Sequence, residues 1–266
     1  YNTGAVGSNV VSLGTAVSAT NWYVVDGVFD PAGRILTTTG DVAIGGVLVP
    51  PSVSVITQDR ANAPTLVMTS GASEIRAGRD FLFFPGAVED VQAGVLEAGE
   101  DVRVTDDPGT VAPQTNRVFD LRADLLGTVQ AYTRTVRLVS ALTPALIYRQ
   151  TPATPPAPQL LTLINFTVSK SAAATVELGS NVAVWGLFLH TSGRIESVPY
   201  NASMYLYGNW TATGGTYGTF GQPFEVGGTV NQTFTGNGTV AVPAVTLTKT
   251  GGTVFISGTV LTAGNV

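Results

Sequence analysis

Cysteine is absent from the chain, so disulfides and thiolate metal sites are out of consideration. Charge is scarce too. Charged residues make up 12% of the 266 positions, about half the fraction usual for a soluble domain. The 13 bases, 11 of them arginine, are outnumbered by 18 acids, and no basic run exists to neutralise a phosphate backbone, which argues against nucleic-acid binding. Long apolar runs are also missing: no stretch of about 18 residues suits a membrane-spanning helix. His190 is the single histidine, so no pair of imidazoles is available for a metal site. Tyr1 replaces an initiator methionine, as expected of a chain whose leader has been removed or of a fragment.

What is present is apolar and neutral. Hydrophobic residues reach 44%, too many for a disordered chain. Thr, Val, Gly and Ala together suit extended sheets with hydroxyl-covered faces. In residues 1–60 the runs 10–17, 21–29, 34–40, 41–49 and 52–57 are β-branched or alternating. They are separated by Gly, Asn-Trp, Asp-Pro-Ala-Gly and Pro50-Pro51, and no helical 3.6-residue stripe interrupts them.

Leu161 to Val266 divides into five similar lines, 161–181, 182–202, 203–223, 224–244 and 245–266. Each opens on a short apolar or alternating run and passes through Gly, Asn, Ser or Thr. A step near 21 residues made of short strands and tight corners predicts one coil of a β-solenoid per line. Inward positions are expected to be aliphatic or aromatic: Val182, Val184, Leu187 and Leu189 in one line, Val245, Leu247, Val254 and Ile256 in another. The step recurs upstream. Ile75-Arg76-Ala77-Gly78-Arg79-Asp80-Phe81 is echoed 21 residues later by Leu96-Glu97-Ala98-Gly99-Glu100-Asp101-Val102, which would stack Arg76 over Glu97 and Arg79 over Glu100.

Residues 122–160 break the pattern. They carry four arginines, admit a short helix from Ala123 or a pair of strands, and end in the Pro-rich TPATPPAP (151–158), a linker or an outer strap. Only six of the 31 charges fall in residues 151–266. The expected organisation is therefore a β-rich region with a partial repeat (1–150), a linker or strap (151–160) and a solenoid block (161–266). The fold class is all-β, a parallel β-solenoid with rungs of about 21 residues interrupted near 122–160. A β-sandwich subunit of a filament or viral shell, assembled by donating a terminal strand such as Asn9–Val17, is the alternative.

Gly208-Asn209-Trp210-Thr211 with Gly214-Gly215-Thr216-Tyr217, then Thr233-Phe234-Thr235-Gly236-Asn237-Gly238 and Leu247-Thr248-Lys249-Thr250-Gly251-Gly252-Thr253-Val254, resemble the repeats of Bacteroidota-type secreted β-solenoid surface proteins and adhesins. EIRAGRDFLF (74–83) more faintly resembles the filamentous-haemagglutinin type of repeat. The resemblance covers under a third of the chain and implies secretion, surface display, adhesion or fibre building. It supplies no catalytic residue.

Candidate chemistry is thin, and no catalytic or cofactor-binding residue stands out. Glu97, Glu100, Asp101, Asp106 and Asp107 form an acidic cluster that supplies the oxygen ligands calcium takes, a structural ion at most. Charged turns bridged to Arg76, Arg79 and Arg103 explain the same residues. Parallel β-helices also host glycan-active enzymes, which need clustered carboxylates. Here Glu177, Glu196 and Glu225 lie in successive lines at shifting positions, so a non-enzyme is expected. Alternation with Leu187 and Leu189 places His190 on the outer face or at a corner. Asn165, Asn201, Asn209, Asn231 and Asn237 head Asn-x-Ser/Thr sequons, either acceptors for surface glycosylation or products of a Thr- and Asn-rich repeat. Trp22, Tyr23, Trp185, Trp210, Tyr205, Tyr207 and Tyr217 supply either a sugar-stacking surface or core filling. The sequence thus reads as an extracellular structural protein, a surface adhesin or fibre subunit. Its expected partners are further copies of itself and surface glycans, and the repeat still running at Val266 motivates an uncapped, self-associating end.

Overall fold

The computed structural model describes residues 10–45, 47–49, 52–54, 64–84, 87–105, 133–150, 160–198, 200–242 and 244–263. Among these the chain is all-β with no helix, and its sheets are built of parallel strands. It is a parallel β-solenoid. The parallel pairing overturns the sandwich alternative, whose strands pair antiparallel. Two compact units are present, 1–134 with 150–157 and 135–149 with 158–266.

In the N-terminal unit four rungs follow one another. The first is β1 (Val10–Ser12), β2 (Val17–Ala19) and β3 (Trp22–Val24); the second is β4 (Val28–Asp30), β5 (Ile35–Thr38) and β6 (Val42–Ile44). An antiparallel hairpin, β7 (Val47–Val49) with β8 (Ser52–Ser54), precedes the third rung. That rung is β9 (Thr65–Met68), β10 (Glu74–Ala77) and β11 (Phe81–Phe83), and the fourth is β12 (Val88–Val91), β13 (Val95–Ala98) and β14 (Val102–Thr105). Each side of the coil is a sheet, β1-β4-β9-β12, β2-β5-β10-β13 or β3-β6-β11-β14. Register aligns Leu36, Ile75 and Leu96 on one side, and Ile44, Phe83 and Val104 on another. All six are buried, so the alternation of each short strand aims one set of side chains into the coil. The expected echo is real: Arg76 is the register partner of Glu97, and Arg79 Nε donates to Glu100 at 3.1 Å. Arg76, however, bonds Glu74 on its own strand at 2.7 Å. Exposed pairs of this kind contribute only about 0.2–1 kcal/mol, and their value lies in fixing register.

The C-terminal unit begins earlier than the sequence lines suggest. β15 (Thr135–Ser140) and β16 (Ala145–Gln150) pair in parallel with β18 (Asn165–Lys170) and β19 (Thr175–Leu178). The interruption expected over 122–160 is thus narrower. Ala123 and the Pro-rich 151–158 lie outside the described residues. From β17 (Leu160–Leu163) onward come β20 (Asn181–Val184), β21 (Leu187–Ser192), β22 (Arg194–Glu196), β23 (Met204–Leu206), β24 (Asn209–Ala212), β25 (Thr216–Tyr217), β26 (Phe224–Val226), β27 (Gln232–Val242), β28 (Val245–Leu247) and β29 (Val254–Ala263).

Register on the β17-β20-β23-β26-β28 side links Leu161, Val182, Met204, Phe224 and Val245, close to the five line starts. Opposite runs a column of large groups, Val136, Phe166, Phe188, Trp210, Phe234 and Ile256. Phe166 and Phe188 stack at 5.7 Å between centroids, and Phe188 and Trp210 at 6.4 Å. The third side, β16-β19-β22-β25, stops at the two-residue β25. The last two rungs have no strand there among the described residues. Instead β27 and β29 lengthen to 11 and 10 residues and pair in parallel across a bulge.

Candidate functional site

Rung corners are tied by side-chain amides and carboxylates. In the N-terminal unit an Asn or Asp stands just before each strand of the β3-β6-β11-β14 side: Asn21, Asp41, Asp80 and Asp101. Asp41 N–H donates to Asn21 Oδ1 at 2.8 Å, Asp80 N–H to Asp41 Oδ1 at 3.3 Å and Asp101 N–H to Asp80 Oδ1 at 3.1 Å. Asp80 and Asp101 are buried, and Arg103 Nε donates to Asp101 Oδ2 at 2.9 Å. Burial, and then the neighbouring carboxylates of Asp101 and Asp41, push Asp80 up to about 6. The Asp101 backbone N–H and Arg103 offset part of that.

The three described members of the calcium set each face another partner. Asp101 belongs to this ladder and to Arg103, Glu100 accepts from Arg79, and Glu97 lies on β13 over Arg76. Asp106 and Asp107 lie outside the described residues. Among those residues no three His, Cys, Asp or Glu groups converge as a metal-holding cluster.

The C-terminal unit uses asparagine the same way. Oδ1 of Asn165, Asn181, Asn209 and Asn231 accepts the backbone N–H of Leu187, Ser203, Thr233 and Thr253, at 2.8, 2.8, 2.8 and 3.0 Å. Three sequon asparagines, Asn165, Asn209 and Asn231, therefore have a structural reason to be asparagine. Asn201 sits at a turn with φ of 53°, a left-handed conformation that asparagine tolerates. Asn165 is half-buried, whereas Asn201, Asn209, Asn231 and Asn237 are exposed.

His190 is where the sequence reading goes wrong. The side chain is fully buried, and so is Phe188, while Leu187 and Leu189 are only half-buried. The strand is apolar on both faces, and the aromatic column rather than the leucines decides which face turns in. His190 aligns with Val168, Ala212 and, one rung further, Gly236, so small neighbours leave room for its ring. A Cβ on Gly215 would collide with its Nε2. Nε2 meets the Gly193 carbonyl at 3.2 Å. A carbonyl only accepts, so Nε2 carries the proton and Nδ1 is the bare nitrogen, without a partner. Tyr217 presents a ring edge at 5.0 Å. Burial lowers the imidazole to about 4, offset only in part by the backbone of Gly193 and Ser192.

The aromatic set divides. Trp210 is core and Tyr217 is half-buried with its hydroxyl turned in: the indole Nε1 and the phenol OH are buried and outside hydrogen-bond geometry, and burial of the hydroxyl pushes Tyr217 far up despite the nearby Trp210 indole. Trp185, Tyr205 and Tyr207 lie half-buried on the outer face instead, with Trp185 and Tyr207 stacked at 4.5 Å. Glu225 is the register partner of Tyr205 and accepts from Thr248 at 2.9 Å. Trp22 tilts against Phe29 at 5.2 Å, and Tyr23 packs on a second apolar cluster of Ala43, Leu82 and Phe84. Glu177 and Glu196 prove to be register partners rather than shifted, but Glu225 sits on a different side, and Glu196 is held by Arg194 at 2.8 Å.

The last rung completes the picture. Leu247 and Ile256 continue two inward columns, above Val226 and Phe234. Yet they are 67% and 56% exposed, and the outward Phe255 beside them is 53% exposed. Both were expected inside; their positions are inward, but among the described residues no further rung lies over them. Gln232, one rung below, is fully buried and satisfied, donating to the Leu206 and Gly208 carbonyls and accepting from Lys249. No family model, curated protein or solved structure matches this chain.

Proposed function

We propose that this protein is an extracellular structural element, a surface adhesin or fibre-forming subunit, that works by stacking its open rung on another copy. One observation carries the reading: core-column residues Leu247 and Ile256 stand open to solvent at the β28–β29 rung. A rung whose inward side chains and backbone groups lack a neighbour presents both apolar area and free ladder partners. The exposed Val10 and Val11 of β1 offer a second surface of the same kind, which suits a head-to-tail contact between copies. Low charge, absent cysteine and the resemblance to secreted solenoid repeats favour an extracellular setting. No residue is assigned a catalytic role.

The test is sedimentation velocity with negative-stain microscopy of the purified chain over a wide concentration range. Concentration-dependent oligomers or filaments are expected, and Leu247→Glu with Ile256→Glu is expected to weaken association more than about 10-fold, because each charge would have to be buried on stacking. A wild-type chain that stays monomeric at high concentration would sink the proposal.

A second reading has its own support. Trp185, Tyr205, Tyr207 and Glu225 place aromatic rings and a carboxylate together on one outer face, a combination that suits a saccharide chain. Glycan-array binding lost in Tyr205→Ala but retained in Leu247→Glu would favour display of a glycan-binding face over self-stacking.

A further inference from the structure

We propose that His190 is a proton-operated latch in the core of the C-terminal unit, closed while the imidazole is neutral and released when it gains a second proton. The argument starts from the tautomer. Nε2–H is committed to the Gly193 carbonyl at the β21–β22 corner, so the second proton must go to Nδ1. That atom is buried and has no acceptor. The new N–H and its charge would sit among Phe188, Trp210 and Tyr217, where no carboxylate of the described residues is packed.

Beyond the Gly193 and Ser192 backbone, which offsets burial only in part, the described side chains around the ring offer no negative charge. β18 contributes Val168 and the buried Lys170, whose Cβ lies beside Gly193 and whose charge has the wrong sign. β24 contributes Ala212 and Trp210, β22 contributes Ile195, and β25 contributes Tyr217, a phenol kept protonated by burial. The carboxylate next along the chain, Glu196, is turned outward onto Arg194. A protonated ring therefore reaches a favourable setting only by leaving the core, and its exit removes the ring's bond to the Gly193 carbonyl, leaving that corner to the Thr216 N–H, which donates to the same oxygen at 2.9 Å.

The direction with pH follows from linkage. The folded-state value, about 4, lies below the ordinary histidine value of 6.5, so the unfolded chain takes up the proton first. This contribution to stability is present above pH 6.5 and is lost as pH falls towards 4. From pH 7 to 4.5 the opening equilibrium of β21, β22, β24 and β25 is expected to rise about 60-fold from this group alone.

Because the chain has one histidine, an NMR titration of the imidazole Cε1–H reads it without ambiguity. The expected result is a midpoint well below 6, or no titration until the C-terminal unit opens. Hydrogen exchange at pH 7, 5.5 and 4.5, corrected for intrinsic rates, should show that opening. His190→Gln, neutral at every pH and able to donate to Gly193, should remove most of the response while leaving the N-terminal unit unchanged. A wild-type midpoint at or above 6, or an acid response equally large in His190→Gln, overturns the proposal. If His190→Gln fails to fold, the wild-type titration alone decides it.

Discussion

Gly208→Val is expected to abolish the native stacking of the C-terminal unit. A Cβ at Gly208 would run into the carbonyl oxygens of Gly186 and Trp185 one rung below. The obstacle is backbone on backbone, so no side chain can rotate away. Overpacking a core that can yield costs about 1–3 kcal/mol; here the rung spacing itself must open, and a loss above about 3 kcal/mol is expected. Gly71→Ala is the control, since its added Cβ meets nothing within 4 Å, and it should shift stability by no more than about 0.5 kcal/mol. Urea unfolding followed by circular dichroism, with hydrogen exchange to separate the two units, measures both. A Gly208→Val protein as stable as the control would show that the corners are not in close contact.

Asp80→Asn should do the opposite at neutral pH and stabilise the N-terminal unit. Ionised Asp80 is buried between Asp41 and Asp101, which raises it from 3.8 to about 6. The sign is that of a raised acid: stability from this group is complete below about pH 4 and is lost as pH rises through 6. At pH 7 the deficit is about 2–3 kcal/mol. An asparagine keeps the oxygen that accepts the Asp101 N–H and removes the charge. The gain should be largest at pH 7 and vanish near pH 4. Chemical denaturation of both proteins across that range checks it, and a loss of stability at pH 7 would mean that the carboxylate is compensated by more than Arg103. The N-terminal unit would then tighten in mild acid, while the unit holding His190 loosens.

How much of this was legible depended on how regular each stretch is. The lines beginning at 161, 182, 203, 224 and 245 nearly coincide with the register of Leu161, Val182, Met204, Phe224 and Val245, because insertions there are small. The echo at 75 and 96 was visible for the same reason. Residues 1–60 hid their rungs. The step from Val10 to Val28 is short, and Val28 pairs next with Thr65 across the β7–β8 hairpin, so no constant period survives. His190 was misplaced because period-two alternation in a strand apolar on both faces does not say which face turns in. The missing signal was vertical: Phe166, Phe188 and Trp210 recur at 22-residue steps. The acid ladder had a similar signature, an Asn or Asp immediately before an apolar strand at 21, 41, 80 and 101.

The rung geometry also has a mechanical consequence. In the C-terminal unit the described strands pair with the rung above and the rung below, so hydrogen bonds run along the stacking direction. Tension applied through Ala263 would load the bonds of β29 to β27 a few at a time rather than together. The C-terminal unit should peel like a zip, at low force, one rung per event. Each event frees about 20 residues, roughly 70 Å of contour at ~3.4 Å per residue. Force spectroscopy should record a sawtooth of that spacing, and a single large rupture would mean that the rungs yield together. A unit built this way would lengthen gradually under load rather than rupture at once.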